Sequence, residues 1–274
     1  MALVTAPPLT GSSPGYNGFM RPLSSRRMLV AGVLALGLTA ACGAPVPPPP
    51  PAPAPPPPSP VLSFEAPYAF GTPQAKIPPP DHGLIPVVKR IHTDKPYVFI
   101  TIDDGQVPHP AALDLMRRSK TRPTLFLTDR YVEGHRGYFK DLRDQAGATI
   151  ENHTLSHPNL RGKPYEVQHK EICGASDAYQ REYGKRPVLF RPPYGNYDDT
   201  TRKAAADCGV RALVLWTETV NDGAMQFQSG TKLKPGDIIL MHFRKTFVED
   251  YSAFLAKAKE DGMIPVPLED FLSA

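Results

Sequence analysis

The chain has 274 residues, of which 41% are hydrophobic, and this length and composition allow one well-packed domain of ordinary size. Twelve of the 16 residues from 45 to 60 are proline, which excludes that stretch from any packed interior. The net charge is +4 for the whole chain and falls by three to +1 without residues 1–41. This nearly neutral charge excludes a protein that binds nucleic acid through a strong overall positive charge.

Residues 1–41 have the pattern of an export signal. Basic "SSRR" precedes the 14-residue apolar run "MLVAGVLALGLTAA", which is too short for a stable membrane-spanning helix. Small residues before Cys42 resemble a lipoprotein processing site, and cleavage there would leave Cys42 as the lipidated first residue. The double arginine also resembles a twin-arginine signal, with general secretion as the alternative. Met20 is a second candidate start, because residues 1–19 carry no Lys or Arg.

Residues 42–84 are predicted to be a proline-rich tether. Polyproline II rises by roughly 3 Å per residue, so the segment 45–60 would reach about 50 Å when extended. The alternative is a ligand for proline-binding modules. We therefore expect an exported protein that is lipid-anchored on the extracytoplasmic face of the membrane, or otherwise secreted. An uncleaved apolar anchor would leave it on the same side.

Residues 85–274 are predicted to form one α/β domain. Short apolar runs, typical of buried strands, alternate with stretches of helical spacing. The strands are predicted at 97–102, 124–128, 147–151, 187–190, 212–216, 237–242 and 263–266, and the helices at 109–119, 135–145, 164–182, 198–207 and 248–259. This alternation indicates a parallel sheet covered by helices, either closed as a barrel or open.

Ionisable side chains follow five of the predicted strands. They are Asp103 and Asp104, His153, Arg191, Asp222 and His242. In parallel α/β folds the chemistry gathers at the C-terminal ends of the strands, so we expect these groups to share one rim.

Two short motifs at this rim indicate a metal site. "NHTLSH" places His153 and His157 four residues apart, and two histidines plus one carboxylate can hold a catalytic zinc ion. In "DDG", a cation bound by one aspartate would let the second aspartate lie close by in its ionised form. Gly105 would permit the sharp turn that this arrangement requires. The alternatives are two unrelated histidines and a simple turn.

The segments "TIDDG", "HTLSH", "RPPYG", "ND" after "VLW", and "LMH" occur in the order and approximate spacing of five family motifs. Together they resemble the polysaccharide deacetylases, which are carbohydrate esterase family 4 and carry the NodB homology domain. The resemblance covers about residues 85 to 270. It implies a distorted (β/α) barrel with about seven parallel strands.

The resemblance implies a metal site and a base. Asp104, His153 and His157 would bind one divalent ion, usually Zn²⁺, with Co²⁺, Ni²⁺ or Mn²⁺ as alternatives. Asp103 would be the general base that accepts a proton from water. Arg191 would orient Asp103 and hold the pKa of its carboxyl down.

The resemblance further implies an acid and a substrate pocket. His242 would protonate the leaving amine and Asp222 would orient it, while the backbone N–H of Tyr194 would help hold the oxyanion. Trp216 and Leu240 would line the pocket for the acetyl methyl group. Two of these assignments have structural alternatives, because "NDG" is a strong turn signal and the single tryptophan could belong to the core.

Two cysteines remain beyond the leader and its lipidation site, namely Cys173 and Cys208. In an exported domain a disulfide between them is favoured over two separate buried thiols.

These features predict a hydrolase of carbon–nitrogen bonds other than peptide bonds, namely a metal-dependent N-deacetylase of an extracellular polysaccharide. The tether points to peptidoglycan as the substrate, with chitin-like glycans as the alternative. An O-acetyl esterase of the acetylxylan type could use the same site. A surface lipoprotein that binds glycan without cleaving it is the non-enzymatic alternative. We expect a monomer that does not bind nucleic acid.

Overall fold

A computed structural model describes residues 61–273, and its central feature is a ten-stranded sheet. The strands are β1 Val87–Val88, β2 Tyr97–Asp104, β3 Thr124–Leu127, β4 Thr149–Asn152, β5 Leu189–Phe190, β6 Ala212–Val214, β7 Glu218–Asn221, β8 Ala224–Phe227, β9 Ile238–His242 and β10 Ile264–Pro265. The predicted leader and the lipidation site at Cys42 lie outside the described residues.

The sheet is almost entirely parallel. Its order is β1-β6-β5-β4-β3-β2-β9-β7-β8, with β10 beside the start of β2, and only β8 runs antiparallel to its neighbour. The sheet curls into a half-barrel, which confirms the predicted distorted (β/α) barrel. All seven predicted strands are present. The additional strands are β1, β7 and β8.

Within the described residues six α-helices accompany the sheet, and five of them match the predicted segments. They are α1 Ala112–Ser119, α2 Asp129–Val132, α3 Arg136–Ala146, α4 Tyr165–Tyr183, α5 Asp199–Asp207 and α6 Phe247–Glu260. Only α2 was not predicted, because a single turn carries no helical periodicity. None of the helices within residues 61–273 has the length and apolarity that a membrane span requires.

Strand β2 divides the core in two because its side chains alternate between the faces of the sheet. Ile100 and Ile102 pack with the helix layer formed by α1, α3 and α6. Phe99 points to the other side, where it packs with Phe126 and Ile238. Continuing along that inner face brings Asp103 to the rim at the C-terminal end of the strand.

Residues 61–84 pack against the domain, although the sequence placed them in the tether. Phe64 is buried, and its backbone N–H donates to the carbonyl of Ser119 at 3.1 Å. The rings of Tyr68 and Phe271 also meet edge to face. The folded unit therefore begins before the predicted boundary at residue 85. Isolated aromatic residues among prolines and glycines gave no periodic signal.

A disulfide joins Cys173 in α4 to Cys208, which follows the end of α5. The favoured pairing of these two cysteines is confirmed. The bond links the two helices that cover the same edge of the sheet, where Cys208 packs with Leu160 and Leu213.

Candidate metal and catalytic site

A sharp turn at the end of β2 brings two carboxylates to the rim. Asp104 has a φ of +74° and Gly105 a φ of +77°, and the N–H of Gly105 donates to the carbonyl of Asp103 at 3.0 Å. A Cβ atom on residue 105 would lie 2.5 Å from the side chain of Val132. The turn thus requires glycine, as the sequence predicted, and it aims both acids at one pocket.

The histidine motif forms an irregular loop after β4 rather than a helix. Thr154 and His157 both have left-handed backbone conformations, with φ values of +75° and +63°. The Asn152 side chain accepts from the N–H of Thr154 at 2.8 Å, and the Thr154 hydroxyl accepts from the N–H of His157 at 2.9 Å. These local bonds fix both histidines in the loop, with ring centroids 4.9 Å apart.

Asp104, His153 and His157 converge, as predicted for a metal site. Their ligand atoms all lie within 4.8 Å of one another. The Asp104 Oδ1 atom is 3.5 Å from His153 Nε2 and 3.3 Å from His157 Nε2. This Oδ1 is buried and has no hydrogen-bond partner among the described residues. A buried carboxylate oxygen without a donor is costly, so the group fits a bound cation.

The protonation of His153 also fits a metal ligand. Its Nδ1 lies 2.6 Å from the carbonyl oxygen of Arg191, which can only accept, so Nδ1 carries the proton and Nε2 presents its lone pair to Asp104. Burial lowers the pKa of His153 to about 3, although the charge of Asp104 opposes the shift. The imidazole is therefore neutral, which is the form that binds a metal.

Arg191 holds Asp103 in place. Its guanidinium is fully buried and donates to Asp103 Oδ1 at 2.7 Å and to the hydroxyl of Thr101 at 2.8 Å. Two further bonds of 3.1 Å reach the carbonyls of Val214 and Leu215. Each guanidinium nitrogen thus donates a hydrogen bond. Arg191 fixes Asp103 Oδ1, while Asp103 Oδ2 lies 3.6 Å from His153 Nε2.

The expected effect of Arg191 on Asp103 is only partly met. Burial raises the pKa of the Asp103 carboxyl, and the charges of Arg191 and His242 oppose this shift without cancelling it. Arg191 therefore lowers this pKa, as expected, but the burial of Asp103, which is only 3% exposed, outweighs that effect. A raised pKa makes the carboxylate a stronger base.

His242 faces the same pocket from β9. It pairs in register with Asp103, and Leu240 lies two residues earlier on the same face of the strand. Burial lowers the pKa of His242, while the charge of Asp103 opposes the shift. Its Nδ1 atom is buried and has no hydrogen-bond partner within residues 61–273.

Asp222 does not reach His242. It is exposed at the tip of the β7–β8 hairpin, where Asp222 and Gly223 have φ values of +51° and +73°. Two positive φ values are typical of a tight hairpin turn, and this turn is anchored by a 2.8 Å bond from the N–H of Gly223 to Asp250. The expected orienting role of Asp222 is thus not met, because the "NDG" turn carries its side chain to the surface.

Tyr194 and Trp216 border the site on the side of β5 and β6. Tyr194 has a φ of +61° and is 64% exposed, and its ring centroid is 4.8 Å from that of His157. Trp216 is half-buried, and the Arg191 guanidinium carbon lies 5.6 Å from its ring centroid. Both residues are therefore next to the predicted reaction centre.

Sequence reasoning missed the residues that support the predicted ones. Thr101 bonds Arg191, and Asn152 shapes the histidine loop while its Nδ2 donates to the Ile172 carbonyl and the Ser176 hydroxyl at 2.8 Å each. Polar residues inside otherwise apolar strands could have marked both positions, since a buried polar group needs a partner.

Comparison with known proteins finds sequences similar to this chain. The family model described as polysaccharide deacetylase matches residues 90–213. An uncharacterized protein of Streptomyces coelicolor is 48% identical over 158 residues, which are 57% of this chain and 63% of the relative, so the chain spans less than two thirds of that protein. A peptidoglycan-N-acetylglucosamine deacetylase of Bacillus cereus is 28% identical over 68% of this chain and 92% of its own length. A chitooligosaccharide deacetylase of Bradyrhizobium is 30% identical over 53% and 69%, respectively.

Solved structures share the fold. A carbohydrate esterase family 4 pseudoenzyme from Bacillus anthracis aligns with a TM-score of 0.60 at 23% identity, covering 70% of each chain. At this identity the likeness shows the fold alone, and the fold by itself is compatible with both active and inactive members.

Proposed function

This chain belongs to the polysaccharide deacetylase family, and on that premise we propose that it hydrolyses the acetamide of N-acetylated sugars in a cell-wall glycan, with peptidoglycan as the substrate. The observation that carries the proposal is the group formed by half-buried Asp104, buried His153 and half-buried His157 beside a second carboxylate, Asp103, whose position is fixed by Arg191. This combination offers a cation site and a base in one pocket.

Asp104, His153 and His157 would hold one divalent ion, with Zn²⁺ as the first candidate. When bound, such an ion polarises a carbonyl and lowers the pKa of water to about 7. The neutral Nε2 of His153 and the unpartnered Oδ1 of Asp104 support this assignment.

Asp103 would accept the proton from the attacking water. Its raised pKa favours this role, and the bond from Arg191 keeps its carboxylate oriented. On the facing strand, His242 would donate a proton to the leaving nitrogen, since an amine leaves poorly without one. Each of these steps typically contributes about 10²- to 10⁴-fold to the rate.

The remaining rim residues would position the acetyl group. The backbone N–H of Tyr194 is proposed to stabilise the developing oxyanion, and Leu240 and Trp216 to enclose the methyl group. Leu240 lies on the face of β9 that carries His242, which supports this placement.

The substrate assignment rests on relatives and on the proposed location. Relatives named as peptidoglycan and chitooligosaccharide deacetylases support an N-acetylated glycan. Export, with a lipid on Cys42 and the proline-rich segment 45–60 as a tether, would bring the domain to the cell wall. The protein is proposed to act there as a monomer.

Acetate release from defined substrates tests the function. We expect the protein without residues 1–41 to bind about one zinc ion and to release acetate from peptidoglycan fragments or chitooligosaccharides. Chelation should abolish the release and zinc should restore it, whereas His153→Ala should lack both metal and activity. Release from acetylated xylan alone would identify an O-acetyl esterase. No release from any glycan by the zinc-loaded protein would favour a glycan-binding role.

A further inference from the structure

Two cationic side chains border the candidate site without an acidic partner. Arg244 lies two residues after His242, and Lys89 directly follows β1. Both are exposed, and neither forms an ion pair within the part of the chain that the structure describes. An unpaired cation beside a reaction centre can bind an anionic group of the substrate.

Arg244 is held in position by a neutral side chain. Its Nη1 donates to Asn221 Oδ1 at 2.8 Å, which ties it to the end of β7. Because this partner is an amide, it does not neutralise the guanidinium, and the other guanidinium N–H groups form no hydrogen bond among the described residues. Exposed Asp222, the next residue along that hairpin, forms no ion pair with it among the described residues.

The charge of Arg244 reaches the reaction centre. Arg244 lies two residues after His242, which pairs in register with Asp103 at the rim, and the Arg244 charge adds to the lowering of the His242 pKa by burial. A substrate group bound by Arg244 would therefore lie next to the sugar that is deacetylated.

Lys89 lies in a small cavity on the other side of Tyr194. The cavity has a volume of about 240 Å³ and is lined by Lys89, Tyr194, Gly195, Leu215, Trp216 and Gln228. The ring of Tyr194 also packs on His157, so it separates this cavity from the candidate metal ligands. In the strand order, β2 and β4, whose C-terminal ends lead to the candidate ligands, lie between β1, which precedes Lys89, and β9, which precedes Arg244.

We propose that the glycan carries carboxylate groups on sugars that flank the one being deacetylated, and that Arg244 and Lys89 bind these carboxylates. The inference rests on the proposed function and narrows its substrate to an acidic glycan, such as one with lactyl ether groups, over neutral chitin-type chains. The planar guanidinium of Arg244 suits bidentate binding of a carboxylate, and the Lys89 ammonium can follow the charge on a flexible stem. The half-buried ring of Trp216 offers an apolar surface to the sugar in the cavity.

A matched pair of substrates tests the proposal. One is a peptide-free tetrasaccharide of peptidoglycan, and the other is the same compound with its carboxylates converted to neutral methyl esters. We expect the wild-type protein to prefer the acid form, and Arg244→Gln and Lys89→Gln each to reduce that preference about fivefold in kcat/KM, mainly through KM. Arg244→Lys should retain part of the preference, and 0.5 M salt should weaken it.

The ratio between the two substrates separates binding from indirect effects. Loss of the Arg244 charge would alter the pKa of His242, but that change acts on both substrates alike and cancels in the ratio. Lys232→Gln is the control, since Lys232 is exposed in the loop before β9, at the opposite end of that strand from His242. Its ratio should equal that of the wild type.

Binding to the metal-free protein provides a second readout, by calorimetric titration with the same two tetrasaccharides. Tighter binding of the acid form, lost in both variants, supports the proposal. Equal affinities for acid and ester, or equal losses on both substrates in the variants, would overturn it. If no acetate is released from either compound, the proposed function fails, while the binding comparison still decides the role of Arg244 and Lys89.

Discussion

At the scale of single residues, the site depends on one buried ion pair. Asp103 is 3% exposed and Arg191 is 0% exposed. Without either residue, the buried charge of the other would be unpaired. Removing one partner of a buried pair usually costs about 3 to 5 kcal/mol, whereas a polar isostere keeps the hydrogen bond. Asp103→Asn therefore tests whether residue 103 accepts the proton, with the smallest change in packing.

Asp103→Asn should retain the metal and lose turnover. The amide can still accept from Arg191, but it cannot take a proton, so we expect kcat to fall by about 10²- to 10⁴-fold. Metal content by elemental analysis and kcat on a chitooligosaccharide measure the two effects. Asp94→Asn is the control, because Asp94 is exposed and forms no ion pair among the described residues. Turnover near the wild-type level in Asp103→Asn would show that Asp103 is not the base.

The sequence predicted the convergence of the candidate metal ligands better than their surroundings. Asp104, His153 and His157 are each fixed by short local segments, "DDG" and "NHTLSH", so their motifs carry the geometry. The predicted orienting role of Asp222 depended on the geometry of the turn between β7 and β8. The positive φ of Asp222 directs its side chain outward. Support from Thr101 crosses from one strand to another, which sequence spacing does not reveal.

At the scale of elements, the turn after β2 is the part that tolerates least change. Gly105→Ala would force a side chain into the left-handed region and place its Cβ 2.5 Å from Val132 in α2. We expect the free energy of unfolding to fall by about 1 to 3 kcal/mol, and metal affinity to fall because Asp104 shares the turn. Denaturant unfolding and zinc titration measure these changes.

Gly137→Ala is the matched control for that substitution. Gly137 lies in the first turn of α3, and a Cβ atom there would meet no atom within 4 Å. Alanine favours the helix, so stability should stay the same or rise by less than about 1 kcal/mol. Equal losses in both variants would contradict a specific steric requirement at Gly105.

Elements with strong periodicity were predicted, and short or polar ones were not. Apolar runs such as "YVFITI" and "DIILMH" are buried on both faces and matched β2 and β9. Strand β7 alternates between buried and half-buried residues and β8 between exposed and half-buried ones, over four positions each, which is too short to distinguish from a loop. Strand β7 carries Asn221, so the sequence also gave no sign of how Arg244 is held.

At the scale of the whole molecule, two buried acids of the half-barrel differ in their partners. Asp103 is paired with Arg191, whereas Glu151 of β4 is fully buried and forms no ion pair among the described residues. Its Oε2 accepts from the N–H groups of Val188 and Leu189 at 2.8 and 2.7 Å, but Oε1 has no hydrogen-bond partner among the described residues. Burial, together with the charge of Glu269, raises the pKa of Glu151 to about 8.

The raised pKa of Glu151 predicts that stability falls as the solution becomes alkaline. The folded protein keeps a proton on Glu151, whereas the unfolded chain releases it above the ordinary pKa of 4.5. The free energy of unfolding is therefore highest below pH 4.5 and declines until about pH 8. Glu151→Gln resembles the protonated side chain, because its amide oxygen can accept from Val188 and Leu189. The variant should therefore match the wild type at about pH 4 and exceed it in stability at pH 8.5. Urea unfolding at both pH values measures this, with exposed Glu133→Gln as the control. A Glu151→Gln variant that is less stable than the wild type at pH 8.5 would show that Glu151 is ionised in the folded protein.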